Sequence, residues 1–139
     1  MYDVKEDSWI EGPSLLTARC HHSSCAIQSN DGLTKCIIII GGMIFDRSDI
    51  KAIPDRKTTE ILYVTEQKWV QGPRLPVEVG STACVALPPT SNFACVIVVN
   101  STSEESSLYV YGLDKNLSEW TLLGRIEKGR LGYIALPIS

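Results

Sequence analysis

The sequence predicts an all-β chain built from four-stranded antiparallel meanders. Three observations carry that prediction. A hairpin with a large aromatic at each end occurs three times, two all-apolar strand-like runs occupy matching places, and no useful window shows a helical period. The clearest hairpin lies at residues 61–76, ILYVTEQKWVQGPRLP. Ile61, Tyr63 and Thr65 fall on one face of a strand, and Leu62, Val64 and Glu66 on the other. β-Branched and aromatic residues favour that conformation. Glu66-Gln67-Lys68 form a polar turn, Trp69-Val70 start the return strand, and Gly72-Pro73 stop it. The first copy runs from Tyr2-Asp3-Val4 to Trp9-Ile10-Glu11-Gly12-Pro13, and the third from Leu108-Tyr109-Val110-Tyr111 to Trp120 and Gly124. The tryptophans at 9, 69 and 120 are spaced by 60 and 51 residues, a period that indicates a propeller or a solenoid.

In chain order, the break after Trp9 leads to a short strand at 22–28 and a turn at Asn30-Asp31-Gly32. Residues 35–40 contain four consecutive isoleucines, so this strand is expected to be buried on both faces and central in its sheet. Gly41-Gly42 ends it, and the stretch 43–57, with seven charges and a proline, reads as a loop. Strands at 59–65 and 68–70 complete the unit. The next unit repeats the order with strands at 81–87, 93–99, 107–113 and 119–123. Residues 131–137 read as the first strand of a further unit. Short connections between sequential strands imply antiparallel pairing. The expected boundaries are a partial blade at 1–13, full blades at 14–73 and 74–124, and a first strand at 125–139.

Composition narrows the function classes. The 139 residues are 44% hydrophobic and 21% charged, which suits one folded domain. A net charge of −3 gives no reason to expect nucleic acid or a membrane surface as partner. The longest apolar run is too short to span a bilayer, and the first residues do not resemble a secretory signal, so a cytoplasmic location is expected.

The pattern resembles the Kelch repeat, a β-propeller blade with Gly-Gly after its second strand and a Tyr…Trp pair across its third and fourth. The residues that carry the resemblance are Gly41, Gly42, Tyr63 and Trp69, together with the Trp-x-x-Gly-Pro segments at Trp9 and Trp69. Tyr109 and Trp120 form the corresponding pair of the second full blade, there eleven apart, which implies an insertion around 112–116. Val99-Asn100 stands where Gly-Gly belongs. With two full and two partial blades, the propeller is incomplete. The strands at 2–10 and 131–137 are expected to pair as complementary halves of one blade, either within a very small ring or between chains, where a homodimer would give six blades. The resemblance implies a non-catalytic protein-binding scaffold, of the kind that presents targets to ubiquitin ligases through a separate domain or binds the cytoskeleton. The alternatives are a Kelch-like enzyme (an oxidase, lyase or epimerase) and a non-functional fragment of a longer protein.

Candidate sites follow from topology. In a meander, the loops after the second and fourth strands emerge on one face, and that face holds the long charged segments. Arg19 and Arg130 begin the first strand of two blades in a pattern similar to the family's Arg-x-x-His, which implies a cationic channel mouth. Val79 takes that place in the middle copy, with Glu78 beside it. With Arg47, Lys51, Arg56 and Lys57 on the same face, the expected partner is a protein with an acidic or phosphorylated segment. The competing reading is that the arginines cap loop carbonyls. No cofactor and no catalytic residues are expected. Cys20-His21-His22-Ser23-Ser24-Cys25 has ligand-type residues but no second pair, and strand alternation would send the histidines to opposite faces, so no metal is expected there. Cys25 and Cys36, like Cys84 and Cys95, are eleven apart. Symmetric hairpins would place each pair opposite, within reach of a disulfide, whereas a reducing cytosol would keep them as small buried apolar groups.

Overall fold

The computed structural model describes residues 2–42, 56–101 and 107–127. Among these residues it is all-β. A short hairpin, β1 (Tyr2–Asp3) with β2 (Ser8–Trp9), precedes two four-stranded sheets. The first contains β3 (Ser23–Gln28), β4 (Lys35–Ile40), β5 (Thr59–Tyr63) and β6 (Lys68–Gln71). The second contains β7 (Val79–Ala86), β8 (Phe93–Ser101), β9 (Ser107–Asp114) and β10 (Trp120–Glu127). Each sheet is an antiparallel meander in sequential order, as the short connections require. The loop expected at 43–57 and the strand expected at 131–137 lie mostly or wholly outside the described residues.

The isoleucine run is an inner strand, as expected: β4 pairs with both β3 and β5, and Ile38 and Ile40 are fully buried. One apolar core joins the two sheets. It includes Ile38, Ile61 and Leu75 from the first unit's side and Val79, Ile97, Val99 and Leu113 from the second. The sheets meet along β3 and β7, where the Ser23 hydroxyl donates to the Thr82 carbonyl.

A second fastening recurs with the repeat. The Trp69 indole Nε1–H donates to the Pro13 carbonyl at 2.9 Å, and the Trp120 indole donates to the Pro73 carbonyl at 2.9 Å. Pro13 and Pro73 occupy the same place in the two Gly-Pro breaks. A break that leaves the ladder leaves a carbonyl unpaired, and the next sheet's indole satisfies it. Thr59 Oγ1 shares the Pro73 carbonyl at 2.9 Å.

Four details differ from the expectations. Cys25 lies opposite Ile38 and Cys36 opposite Ile27, while Cys84 lies opposite Ile97 and Cys95 opposite Ala86. The first turn sets that register because Ser29 N donates to Thr34 O, and the Asp31 carboxylate accepts from the Leu33 and Thr34 amides at 2.9 and 2.8 Å. The opposed disulfide pairs therefore do not form. Second, Trp120 pairs with Leu113 as Trp69 pairs with Leu62. Asp114, six residues before Trp120, thus takes the place of Tyr63, and Tyr109 sits farther up the strand. The strand is longer; the turn carries no insertion. Third, β10 runs through Glu127, because a register shift between Leu122 and Gly124 lets the ladder continue past the glycine. Fourth, His21 has φ 54° and β3 begins at Ser23, so the two histidines precede the strand and alternation does not govern them.

Candidate functional site

The end of the first sheet where β4 stops and β5 starts gathers several of the sequence-predicted residues. Gly41 and Gly42 have φ of 64° and 89°. A Cβ on Gly41 would meet the Val79 side chain at 2.9 Å, and one on Gly42 would meet the Cys20 carbonyl at 2.7 Å. Both backbone conformation and close approach thus require glycine at this pair. In the second sheet β8 continues through Val99 and Asn100 to Ser101, so the chain there needs neither.

Arg19 enters beneath this turn. Its guanidinium donates to the Gly41 carbonyl at 2.7 Å, to the Thr58 carbonyl at 3.3 Å and to Thr58 Oγ1 at 3.2 Å. It also forms an ion pair with Glu60 at 2.6 Å, with side-chain exposures of 4% and 0%. The Glu60 carboxylate accepts two more hydrogen bonds, from the backbone amides of Leu16 at 2.8 Å and Thr17 at 3.1 Å. Removing one partner of such a buried pair leaves an uncompensated charge, at a cost of about 3–5 kcal/mol. Arg19 thus caps carbonyls inside the protein, the second of the two roles the sequence left open, and presents no charge to a partner. Glu60 was not singled out in the sequence. A carboxylate between Thr59 and Ile61 in an otherwise apolar strand was the available signal.

Lys57 Nζ donates to the Pro76 carbonyl at 3.2 Å, and the Leu75 amide donates to the Lys57 carbonyl at 2.9 Å. These bonds join the segment before β5 to the one between β6 and β7, so the two connections share a face, as the meander requires. Arg56 and Lys57 are partly exposed there. Arg47, Lys51 and Arg130 lie outside the described residues. At the opposite end, the Asn30 amide donates to the Lys115 carbonyl at 3.1 Å, tying a turn of the first sheet to one of the second.

The tryptophans do not share one environment. Trp120 is buried and Trp69 half-buried, but Trp9 is 82% exposed. It lies 5.3 Å from Tyr2 between ring centroids. Unlike Trp120, Trp9 is not packed between sheets, since no described sheet lies over its hairpin. Val4 and Ile10 are exposed beside it. Among the described residues, no helix is long and apolar enough to cross a membrane. No family model matches this chain, and no curated protein matches it.

Proposed function

We propose that this chain is a non-catalytic, Kelch-type propeller module that binds a protein partner. The observation that carries the reading is the recurring indole-to-proline latch. Two consecutive four-stranded meanders are fastened in the same way at the same repeat position, Trp69 to Pro13 and Trp120 to Pro73. Serial sheets with nearest-neighbour fastenings are the logic of a repeat scaffold. Such scaffolds bind through the loops they hold in place. Arg56 and Lys57 supply the described cationic part of the face, and an acidic or phosphorylated segment is the complementary partner. The β1–β2 hairpin, paired with no further strand among the described residues and with Trp9, Val4 and Ile10 exposed, supports a further step: a second copy of the chain completes that sheet.

The reading is tested by fluorescence anisotropy with an acidic peptide, its phosphorylated form and a neutral peptide of equal length. The acidic forms should bind, with affinity falling as salt rises. The double variant Arg56→Glu/Lys57→Glu should lose that binding while staying folded, its melting temperature lowered only as far as loss of the Lys57–Pro76 hydrogen bond accounts for. Equal affinity for all three peptides, or affinity unchanged by the charge reversal, would overturn the assignment of the face.

A further inference from the structure

Three of the five cysteines meet between the two sheets. Cys25 comes from β3, Cys84 from β7 and Cys95 from β8. Their Sγ atoms all lie within 4.8 Å of one another. In the β7–β8 register, Cys84 faces Ile97 and Cys95 faces Ala86, so the two cysteines are diagonal neighbours on one face of that sheet. Cys25 reaches them from the other sheet, across the seam where β3 lies on β7. The sequence spacing of eleven had pointed to pairs within hairpins. Cys36, buried on β4, is likewise diagonal to Cys25, but the sulfurs that converge are those of Cys25, Cys84 and Cys95, a triad made by both sheets.

We propose that Cys25, Cys84 and Cys95 form a three-sulfur site for one soft, thiophilic metal ion of the Cu(I) class. An equilateral triangle with the largest allowed side places its centre about 2.8 Å from each sulfur, against ~2.3 Å for a typical metal–thiolate bond. Each sulfur has to move inward by about half an ångström, which small side-chain rotations supply. A disulfide needs two sulfurs at ~2.05 Å, a much larger approach. Thiolates are soft donors and select soft ions. Among the described residues the group contains three ligand side chains and no fourth. A structural zinc site calls for four, so the donor set favours Cu(I) over zinc. Cys95 is fully buried, while Cys25 and Cys84 are partly exposed, which gives the ion a way in and a protected seat.

The local electrostatics fit that chemistry. Hydrogen bonds from Cys84, and next from Cys95, push the Cys25 thiol down to about 4. The same sharing with Cys25 pushes Cys84 and Cys95 up. Binding replaces S–H bonds with S–metal bonds. Each thiol that becomes a ligand gives its proton to solvent, and no electron is transferred.

The test titrates the full chain, reduced and free of oxygen, with Cu(I) in competition with a chromogenic Cu(I) chelator. One ion per chain should be withheld from the chelator. Cys25→Ser, Cys84→Ser and Cys95→Ser should each weaken retention at least tenfold, whereas Cys20→Ser and Cys36→Ser should leave it unchanged. X-ray absorption on the unmodified protein should report three sulfur neighbours, which keeps the test independent of whether any variant folds. Loss of the ion to the chelator, two sulfurs rather than three, tighter binding of zinc, or dependence on Cys20 or Cys36 would each overturn the site.

Discussion

The two four-stranded sheets share a topology but are secured differently at corresponding ends. In the first, Arg19 runs under the Gly41-Gly42 turn and pairs with Glu60 inside the protein. In the second, Val79 stands sixty residues after Arg19 and packs against Gly41, while β9 has no carboxylate before Asp114. Its length is filled instead by Leu108, Tyr109, Tyr111 and Leu113, all buried. The indole-to-proline bond is common to both. The difference teaches which parts of the repeat are interchangeable. A polar pin and an apolar plug can each close the end of a sheet, because the pin pairs its charge and most of its donors, Arg19 Nε excepted, and the plug brings no polar group to pair. The latch carbonyl recurs because the Gly-Pro break recurs.

The largest effect should come from the pin. Glu60→Gln leaves the Arg19 charge buried without its counter-ion and should cost about 3–5 kcal/mol in urea unfolding. Adding Arg19→Met removes that stranded charge, so the double variant should be more stable than Glu60→Gln alone. If Glu60→Gln unfolds at the same urea concentration as the parent, the pin does not secure the first sheet.

A smaller effect should come from the latches. Trp120→Phe keeps an aromatic ring but removes the donor to Pro73, and Trp69→Phe does the same at Pro13, so each should cost about 1 kcal/mol. Trp9→Phe, at an exposed site, should change stability by less than about 0.5 kcal/mol. Equal losses at all three positions would mean that Trp9 is covered in the folded protein.

The turns should give the smallest effect, and it should appear only in acid. Hydrogen bonds from the Ser29 and Thr34 hydroxyls, then from the Thr34 and Leu33 amides, hold the Asp31 carboxyl below its usual range. At Asp114, burial pushes upward but is outweighed by hydrogen bonds from Glu119, Ser118 and Asn116, leaving a net depression. A carboxyl lowered in the folded state stabilises above its unfolded value, ~3.9, and that contribution is lost as pH falls from there through the folded value. Asp31→Asn and Asp114→Asn should therefore flatten the fall in melting temperature below pH ~4. An unchanged acid slope would remove the two turns from the account.

Much of this was legible in the chain. Strand identity and order followed from the apolar runs and the breaks, and the Gly41-Gly42 pair announced a backbone that only glycine fits. Cross-strand register was harder to read. Cysteine spacing suggested symmetric hairpins, but the Asp31-centred hydrogen bonds moved the centre of the turn. Tyr109 matched the hairpin pattern by residue type, whereas pairing puts Asp114 in that place. The Arg19–Glu60 pair and the cysteine triad were illegible for a different reason. Each joins residues from separate strands or sheets, and no local spacing encodes which side chains will meet there.

The central claim is that the Gly-Pro connection entering each four-stranded sheet is latched by that sheet's indole, Trp69 or Trp120, with Trp9 left exposed. Hydrogen exchange of the three indole N–H groups, followed by NMR on the full chain, tests it directly. Two slowly exchanging indole signals, assigned to Trp69 and Trp120 by the Phe variants, and one fast signal from Trp9 are predicted. Fast exchange at Trp69 and Trp120 in the folded protein would contradict it.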